Sequence, residues 1–286
     1  MKKILILGSG GMLGHMVYTY FKALNKYEII DASFPNKAFS ESTLLDVTNK
    51  SDLESYLIKT KPDVIINCIG ILLRGSEEDP SNAIYLNSYL PHQLSKILRS
   101  FGGKLIHIST DCVFTGKKGG YVETDFKDAR DTYGLSKSLG EVNNDRDLTL
   151  RTSIIGPELK EKGEGLFHWF MNQTGEVNGY TKMIWGGVTT LELAKAIDAA
   201  IGQKLTGLIH ITNGQPISKF ELIALIKEIW KKDSIKINPM AGKVVDKSLK
   251  SERMDLNFIV NSYTDMLIEQ YEWMQLNRSL YHTTYK

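Results

Sequence analysis

The sequence predicts an α/β fold in which a doubly wound parallel sheet carries a smaller C-terminal lobe. Short β-rich runs alternate with helical patterns through the first half of the 286 residues, as in successive βαβ units. A glycine-rich loop directly follows the first apolar run and opens the next helical pattern. Beyond about residue 155 the alternation weakens, which indicates a second, less regular unit.

The first half contains the clearest elements. We expect strands at residues 3–7, 28–32, 63–68, 104–109 and 148–154. The helical patterns between them are MLGHMVYTYFKAL, SDLESYLIKT and NAIYLNSYLPHQLSKILRS. Ser51 is expected to cap the second helix, and Pro91 should kink or restart the third, because proline cannot continue a helical hydrogen-bond ladder.

The second half is irregular around its glycines but still holds two amphipathic helices, TTLELAKAIDAAI and ISKFELIALIKEIW. A further strand, GLIHIT at 207–212, lies between them. We therefore predict that residues 1–155, joined by about 188–215, form the sheet domain. Residues 156–187 and 216–286 would then form the second lobe.

Composition argues against several classes of protein. The formal net charge is +2 and the basic residues are scattered, so neither nucleic acid nor a membrane is an expected partner. Cys68 and Cys112 have apolar neighbours in the sequence, which predicts neither a disulfide nor a metal site. No stretch approaches the roughly 20 apolar residues that span a bilayer. We expect a soluble, cytoplasmic protein in a reducing compartment.

The loop GSGGMLG places Gly8, Gly11 and Gly14 three residues apart between the first strand and the first helix. A dinucleotide needs a tight turn, bare backbone beside its pyrophosphate, and a helix N-terminus with free N–H groups. A merely flexible turn would need neither flanking element, so we favour a cofactor site. The sheet domain is therefore predicted to be a dinucleotide-binding domain of the Rossmann type.

The adenosine end of the cofactor allows two interpretations. An acid at the tip of the second strand would bind the ribose hydroxyls of NAD, and Asp31 is available for that. We place the tip at Ser33, whose hydroxyl together with Lys37 suits the 2′-phosphate of NADP, and therefore favour NADP over NAD. Asp46, after a further short strand, either meets the adenine amino group or caps the helix that begins near Ser51.

Two tyrosine–lysine pairs share the spacing of one helical turn. Tyr18 and Lys22 lie in the helix after the glycine loop, where an ordinary amphipathic helix explains them. Tyr133 and Lys137 follow HISTDCVFTG, a strand that ends in hydroxyl residues at the sheet edge where ligands of this architecture bind. Because the chain has 13 tyrosines, the spacing alone is weak and its surroundings decide.

The second pair suits the reduction of a ketone. Hydride transfer leaves an alkoxide, which needs a proton donor and a second group that holds the oxygen. We assign the proton to Tyr133 and the oxygen contact to Thr110. Lys137, on the same helical face, is expected to lower the tyrosine pKa from its usual value of about 10 and to reach the nicotinamide ribose.

Together these motifs resemble the extended short-chain dehydrogenase/reductases, and within that superfamily the dTDP-4-dehydrorhamnose reductase family. The resemblance covers roughly residues 1 to 155, in the family's order: GSGGMLG, LDVT, KPDVIINCIG, LNSYLPHQL, ISTDCVFTG, YVETD, YGLSKSLGE and LRTSIIG. It implies a catalytic trio of Thr110, Tyr133 and Lys137. It also implies nucleotide contacts from Gly8, Gly11, Met12, Leu13, Asp46, Val47, Cys68, Gly70, Asn87 and Thr152.

The resemblance implies NADPH-dependent reduction of the 4-keto group of a nucleotide-activated 6-deoxy sugar, with dTDP-4-dehydro-L-rhamnose favoured, for surface polysaccharide synthesis. The second lobe would bind this nucleotide sugar, and we allow for a homodimer. Cys112 replaces the family's usual aromatic residue, and VVDKSLKSERM is only loosely similar to its Arg-Pro segment. Three alternatives therefore stay open: a UDP-N-acetyl-4-keto-6-deoxyhexose reductase, a sugar-nucleotide epimerase, and a non-enzymatic NADP-binding regulatory subunit.

Overall fold

The computed structural model describes residues 1–281 and residue 285. Its strands are β1 Lys3–Leu7, β2 Glu28–Ser33, β3 Thr43–Leu44, β4 Val64–Asn67, β5 Lys104–Thr110, β6 Leu148–Thr152, β7 Ile154–Ile155, β8 Glu176–Tyr180, β9 Met183–Trp185, β10 Val188–Thr189, β11 Gly207–His210, β12 Ile217–Ser218, β13 Lys236–Met240 and β14 Val245–Asp246. Its α-helices are α1 Met12–Leu24, α2 Lys50–Thr60, α3 Leu73–Glu78, α4 Pro80–Ala83, α5 Leu90–Arg99, α6 Thr132–Leu139, α7 Leu166–Met171, α8 Thr190–Gln203, α9 Lys219–Ile229 and α10 Tyr263–Leu276.

Seven strands form one parallel sheet in the order β11-β6-β5-β4-β1-β2-β3. The order reverses between β1 and β4, and ligands of open α/β sheets bind outside the carboxyl ends of the strands at such a switch point. The glycine loop follows β1 directly, so the topology places it at this point. The predicted doubly wound parallel sheet is confirmed.

Both faces of the central sheet are covered, which explains why β1 is apolar from Ile4 to Leu7. Ile4 and Ile6 pack into the cluster on one face, while Leu5 and Leu7 pack into the cluster on the other. All four side chains are fully buried. A strand buried on both sides reads as a continuous apolar run rather than an alternating one.

The start of α2 differs from the prediction. Asn49, not Ser51, caps the helix, since its side-chain oxygen accepts the backbone N–H of Asp52 at 3.3 Å. Asparagine is as good a cap as serine, and the helix begins two residues earlier than a Ser51 cap would allow. The capping role considered for Asp46 is also wrong, because its Oδ1 accepts the backbone N–H and the hydroxyl of Thr48, at 2.9 and 2.7 Å.

The helical run before β5 changes form near Pro91 but does not stop. A π-helical segment, Ile84–Tyr89, joins α4 to α5 with helical backbone at the junction, and Pro91 is the second residue of α5. The strand predicted over 148–154 is divided in two. β6 ends at Thr152 in the main sheet, and β7 pairs with β10 instead.

The less regular part of the chain forms small sheets beside the main one: β10-β7, β12-β9-β14 and β13-β8. The segment 188–215 contributes β11 to the edge of the main sheet and α8, which packs against α1. The division into a cofactor domain and a substrate lobe stays a prediction, and positions 282–284 and 286 of that lobe lie outside the described residues. Within the described residues, no helix is both long and apolar enough to cross a membrane.

Candidate active site

The glycine loop forms a tight cradle at the start of α1. Gly8 has φ 81°, and a Cβ on Gly14 would lie 2.0 Å from the Gly8 carbonyl oxygen, so only glycine fits there. Gly11, before α1, gives no side-chain cap, which leaves N–H groups of the first turn available to an anion. Buried His15 contacts the Gly11 carbonyl through Nδ1 at 3.0 Å, and burial lowers its pKa to about 4. This geometry fits a dinucleotide pyrophosphate.

Asp31 lies behind the glycine loop rather than at the strand tip. Its Oδ2 accepts the hydroxyls of Ser9 and Ser42, each at 2.5 Å, and the residue is only 4% exposed. The carboxylate therefore ties the glycine loop to the loop after β2. A ribose would have to displace these hydroxyls, so the structure favours the reading of Asp31 as a strand-side polar residue.

The strand tip is at Ser33, as the NADP interpretation requires. Its hydroxyl, however, donates to the Asn36 carbonyl and accepts from the Ala38 N–H, both at 2.9 Å. Ser33 therefore shapes its own loop, and its proton is already engaged. Lys37 in the same loop is exposed and is the freer group for a 2′-phosphate. Contact of either residue with a cofactor stays a prediction.

Thr110 and Tyr133 meet at the carboxyl end of β5. Their side chains interact there, and Thr110 is the last residue of the strand. The Thr110 hydroxyl donates to Asp111 Oδ1 and accepts the Cys112 N–H, each at 3.1 Å. Asp131 caps α6 by accepting the Gly134 N–H at 2.8 Å, which fixes the first turn that carries Tyr133. A Cβ on Gly134 would lie 2.4 Å from the Cys112 carbonyl oxygen, so glycine lets α6 approach the strand end closely.

Lys137 is buried one turn further along α6. It is 4% exposed, and its Nζ donates to the Ile108 carbonyl at 2.6 Å. Burial lowers the pKa of Lys137 to about 8, although Glu141 and Cys68 act in the opposite direction. Burial also raises the thiol pKa of Cys68 to about 12, so that thiol is neutral. Gly70 keeps the space beside the ammonium open, since a Cβ there would lie 3.9 Å from Nζ.

The expected effect of Lys137 on Tyr133 is wrong for the chain described here. Burial raises the Tyr133 pKa, and Cys112 raises it further, whereas Lys137 is not among the groups that act most strongly. The physical reason is that the Tyr133 hydroxyl is buried, which disfavours its charged form. Tyr133 is therefore fully protonated at neutral pH, which is the form a proton donor needs.

Asn87 joins the loop after β4 to the catalytic helix. Its Oδ1 accepts the Ile71 N–H at 2.9 Å, and its Nδ2 donates to the Ile71 carbonyl at 3.0 Å and to the Ser136 hydroxyl at 3.1 Å. Ser136 lies between Tyr133 and Lys137 in the sequence, so the bond from Asn87 holds α6 against the loop after β4. The bonds to the Ile71 carbonyl and to Ser136 use both amide hydrogens of Asn87.

The remaining residues predicted to contact the nucleotide differ in how far their side chains are buried. Leu13 and Val47 have buried side chains, so only their backbones can face a ligand. Thr152, at the end of β6, is buried and donates to the Ile211 carbonyl at 2.7 Å. Met12, at the start of α1, and Asp46, after β3, are partly exposed. All of these lie at or near carboxyl ends of strands, and their contact with a cofactor stays a prediction.

Sequence reasoning missed a buried ion pair beside the catalytic helix. Arg151 and Glu141 bond through two contacts of 2.7 Å, and each side chain is only 2% exposed. A signal was present, since Arg151 interrupts the apolar strand LTLRT. Lys247 was also missed, although the Cys112 thiol and the Asp111 carboxylate raise its pKa. Both cysteines are free, and the described residues contain no cluster of three or more metal-ligating side chains.

Fold and site together define an extended short-chain dehydrogenase/reductase: a parallel dinucleotide-binding sheet with threonine, tyrosine and lysine at its carboxyl edge. The chain belongs to the family described as RmlD substrate binding domain, which matches residues 1–273. The predicted resemblance to the dTDP-4-dehydrorhamnose reductase family is thereby confirmed.

Three known proteins illustrate the similarity. The dTDP-4-dehydrorhamnose reductase of Aggregatibacter actinomycetemcomitans is 32% identical over 159 residues, which cover 54% of this chain and about half, 51%, of that relative. Methionine adenosyltransferase 2 subunit beta of Xenopus laevis is 23% identical over 258 residues, 85% of this chain and 77% of its own. The structure of dTDP-4-dehydrorhamnose reductase from Bacillus anthracis in complex with NADP has a TM-score of 0.82 at 23% identity, covering 96% of this chain and 99% of that one.

Proposed function

We propose that the protein reduces the 4-keto group of a nucleotide-activated 6-deoxy sugar, with dTDP-4-dehydro-L-rhamnose as the favoured substrate and dTDP-L-rhamnose as the product. The observation that carries the proposal is the meeting of Thr110, at the end of β5, and Tyr133, on α6, beside the buried ammonium of Lys137. Relatives named dTDP-4-dehydrorhamnose reductase and dTDP-4-keto-6-deoxy-D-glucose reductase support the substrate class. The product would serve surface polysaccharide synthesis.

The favoured cofactor is NADPH, with NADH as the alternative. Gly8, Gly11 and the first turn of α1 would hold the pyrophosphate, and Lys37 with Ser33 the 2′-phosphate. The remaining predicted contacts would line the nucleotide: Met12, Leu13, Asp46, Val47, Cys68, Gly70, Asn87 and Thr152. The bound cofactor supplies a hydride. A relative's structure in complex with NADP, and the engagement of Asp31 by two serines, support the choice.

The chain's own groups supply the rest of the chemistry. The Thr110 hydroxyl holds the substrate carbonyl oxygen, which fixes the carbon that is reduced. The Tyr133 hydroxyl donates its proton to that oxygen as negative charge develops on it. Lys137 places a buried positive charge beside the site, where an ammonium acts more strongly than it would in water. A cytoplasmic location and a homodimer complete the proposal.

Absorbance at 340 nm tests the proposal directly. The purified protein is mixed with NADPH and a panel of dTDP- and UDP-linked 4-keto-6-deoxy sugars, and the same panel is repeated with NADH. We expect turnover of the dTDP sugar and a higher kcat/KM with NADPH. Turnover of UDP-N-acetyl sugars alone would show that the substrate is a UDP-linked sugar and not the dTDP-linked one. Tightly bound NAD together with an isomerised sugar would indicate an epimerase.

A regulatory subunit is the second candidate function, because a relative over 85% of the chain is named as a subunit of methionine adenosyltransferase. A subunit of that kind has no need for a hydroxyl pair and a buried lysine at the sheet edge. Binding of NADPH without turnover of any sugar in the panel would support this candidate and refute the reductase.

A further inference from the structure

The carboxylate of Glu141 lies at the centre of a buried polar cluster just after the catalytic helix. Its Oε1 accepts the Ser109 hydroxyl and Arg151 Nε, each at 2.7 Å. Its Oε2 accepts Arg151 Nη2 at 2.7 Å and Lys127 Nζ at 3.0 Å. Burial acts to raise the pKa of this carboxyl, but the bonds from Arg151 and Ser109 hold it below its usual range. The carboxylate is therefore charged at neutral pH, and both of its oxygens are fully engaged.

Arg151 is held in place on the side that faces away from Glu141. Its guanidinium lies 5.0 Å from the centre of the Phe114 ring. Arg151 Nη1 contacts His210 Nε2 at 2.7 Å, and since a guanidinium can only donate, Nε2 is the acceptor. The ring proton is therefore on Nδ1, which donates to the Lys250 carbonyl at 2.8 Å. Because the guanidinium is bound on both sides, it keeps the Glu141 carboxylate in one position.

Glu141 and Lys137 contact consecutive residues of β5. Lys137 Nζ donates to the Ile108 carbonyl at 2.6 Å, and Glu141 accepts the hydroxyl of Ser109. The next residue is Thr110, which is proposed to hold the substrate oxygen, and successive strand residues are only about 3.3 Å apart. Two side chains one helical turn apart therefore dock the end of the catalytic helix on the end of β5.

Glu141 also supplies a negative charge to the surroundings of the Lys137 ammonium. Burial lowers the pKa of Lys137 to about 8, and Glu141 acts against this effect of burial. Cys68, after β4, and His107, on β5, also face the ammonium, and burial keeps both of them neutral. Arg151 adds a positive charge beyond the carboxylate. Loss of the Glu141 charge would therefore favour loss of the Lys137 proton.

A similar cluster at the opposite end of β5 provides a comparison. Asp147 is fully buried and accepts the Ser95 hydroxyl at 2.5 Å and Arg146 Nη2 at 2.7 Å. It also accepts the N–H of Leu105, near the start of β5, at 2.9 Å. This cluster lies at the amino edge of the sheet, whereas Glu141 lies beside the catalytic helix. The two carboxylates therefore share a structural role and differ in what they neighbour.

We propose that Glu141 is a positioning residue for the reduction: held by Arg151, its carboxylate docks the end of α6 on β5 and sets the place of the Lys137 ammonium beside the reacting carbonyl. This inference rests on the proposed reductase function. The Glu141 side chain is only 2% exposed and its oxygens are engaged, so Glu141 acts through Lys137 and not on the substrate itself.

Kinetics of two matched variants separate this role from a structural one. Glu141→Gln and Asp147→Asn each leave an arginine without its charged partner, so both should lower Tm. Only Glu141→Gln should lower kcat, by about 10- to 100-fold, the cost of a small misplacement near the reacting atoms, with the Kd of NADPH little changed. Its kcat/KM should also begin to fall about one pH unit lower than in wild type, because the Lys137 pKa is lower. Equal kcat values and pH profiles in the two variants would overturn the proposal.

Ser109→Ala tests the contact with β5 while both charges stay in place, and it decides the matter if Glu141→Gln does not fold. We expect kcat to fall about tenfold, the effect of one lost hydrogen bond to a charged group. Ser95→Ala removes the equivalent hydroxyl at the other end of β5 and should leave kcat unchanged. The same kcat in Ser109→Ala and Ser95→Ala would refute the docking of α6 through Glu141.

NMR of isotope-labelled lysine side chains reports the charge of Lys137 without turnover. The Lys137 signal, assigned by its loss in Lys137→Arg, should titrate near pH 8 in wild type and in Asp147→Asn. In Glu141→Gln the midpoint should lie about one pH unit lower. An unchanged midpoint in Glu141→Gln would refute the action of Glu141 on the ammonium. The expected shift in a protein that reduces no 4-keto sugar would refute the reductase function alone.

Discussion

The two tyrosine–lysine pairs show how much the surroundings of a motif matter. In α1, the Tyr18 ring stacks on Phe39 with centroids 4.2 Å apart, and Lys22 is exposed, 3.6 Å from Glu41. In α6, Tyr133 meets Thr110 and Lys137 is buried. Both pairs span one helical turn, but only the second lies at the carboxyl edge of the sheet.

The pKa values sharpen this difference. Burial raises the pKa of Tyr18 as it does that of Tyr133, so the tyrosines are not distinguished by it. The lysines are distinguished by their surroundings, because Lys22 is exposed whereas Lys137 is buried, and this burial lowers the pKa of Lys137 to about 8. A reactive pair is therefore recognised by the burial of its cation and by a hydroxyl partner, not by its spacing.

Removal of the Tyr133 hydroxyl should have the largest effect. Tyr133→Phe should lower kcat by about 10² to 10⁴, the range for a positioned general acid, while NADPH binding by calorimetry stays the same. If Tyr133→Phe kept near-wild-type turnover on the true substrate, the second pair would be as unimportant for catalysis as the first. The proposed mechanism would then fail.

A side chain in the glycine loop should abolish cofactor binding but not folding. At Gly11 a Cβ would meet only the Gly8 carbonyl, at 3.3 Å, so a valine requires a shift of a few tenths of an ångström in the loop and would occupy the place of the pyrophosphate. We expect Gly11→Val to weaken NADPH about 100-fold or more with little loss of Tm. Gly202→Val, at a helix position with open space, is the control. Unchanged NADPH affinity in Gly11→Val would remove the loop from the site.

The pH dependence of the reaction should reveal Lys137. Its pKa of about 8 lies below the ordinary lysine value, so the ammonium is present below pH 8 and is lost as the pH rises past it. The kcat/KM should then fall about tenfold per pH unit above 8. In Lys137→Arg, whose cation persists above pH 12, this decline should disappear. A decline that persists in the arginine variant belongs to another group.

Substitutions in the first pair, Tyr18 and Lys22, should hardly change kcat. Tyr18→Phe and Lys22→Met are expected to change kcat by no more than about twofold, as surface and partly buried substitutions outside a site do. Steady-state kinetics and Tm measured side by side would show this. A large kcat effect with unchanged Tm would mean that spacing matters more than surroundings.

The main sheet could be predicted because each of its elements has a local signal. β1 is apolar from Ile4 to Leu7 since it is buried on both faces, and Pro91 lies at the start of α5. The cap of α2 was misplaced because Asn49 and Ser51 are equally suitable residues two positions apart. Such choices depend on where the helix meets the sheet, which the local sequence does not contain.

The candidate site was predictable only in part, for a similar reason. Thr110, Tyr133 and Lys137 lie within 28 positions of one another and follow one strand. Arg151, His210 and Lys250 are brought together from three distant segments, and no periodicity relates them. The direction of the Tyr133 pKa was missed because it depends mainly on the burial of the hydroxyl, which the spacing of two residues in the sequence does not show.

The Ile108 carbonyl, which accepts a hydrogen bond from the Lys137 ammonium, has a consequence for how the site tolerates mutation. Ile108 holds the Lys137 ammonium through its main-chain oxygen, which every amino acid at position 108 would also provide. Evolution can therefore vary the side chain there to suit the core without losing the lysine's anchor. The position of the Lys137 ammonium therefore depends on the backbone of β5, and only a change that bends this strand would release it.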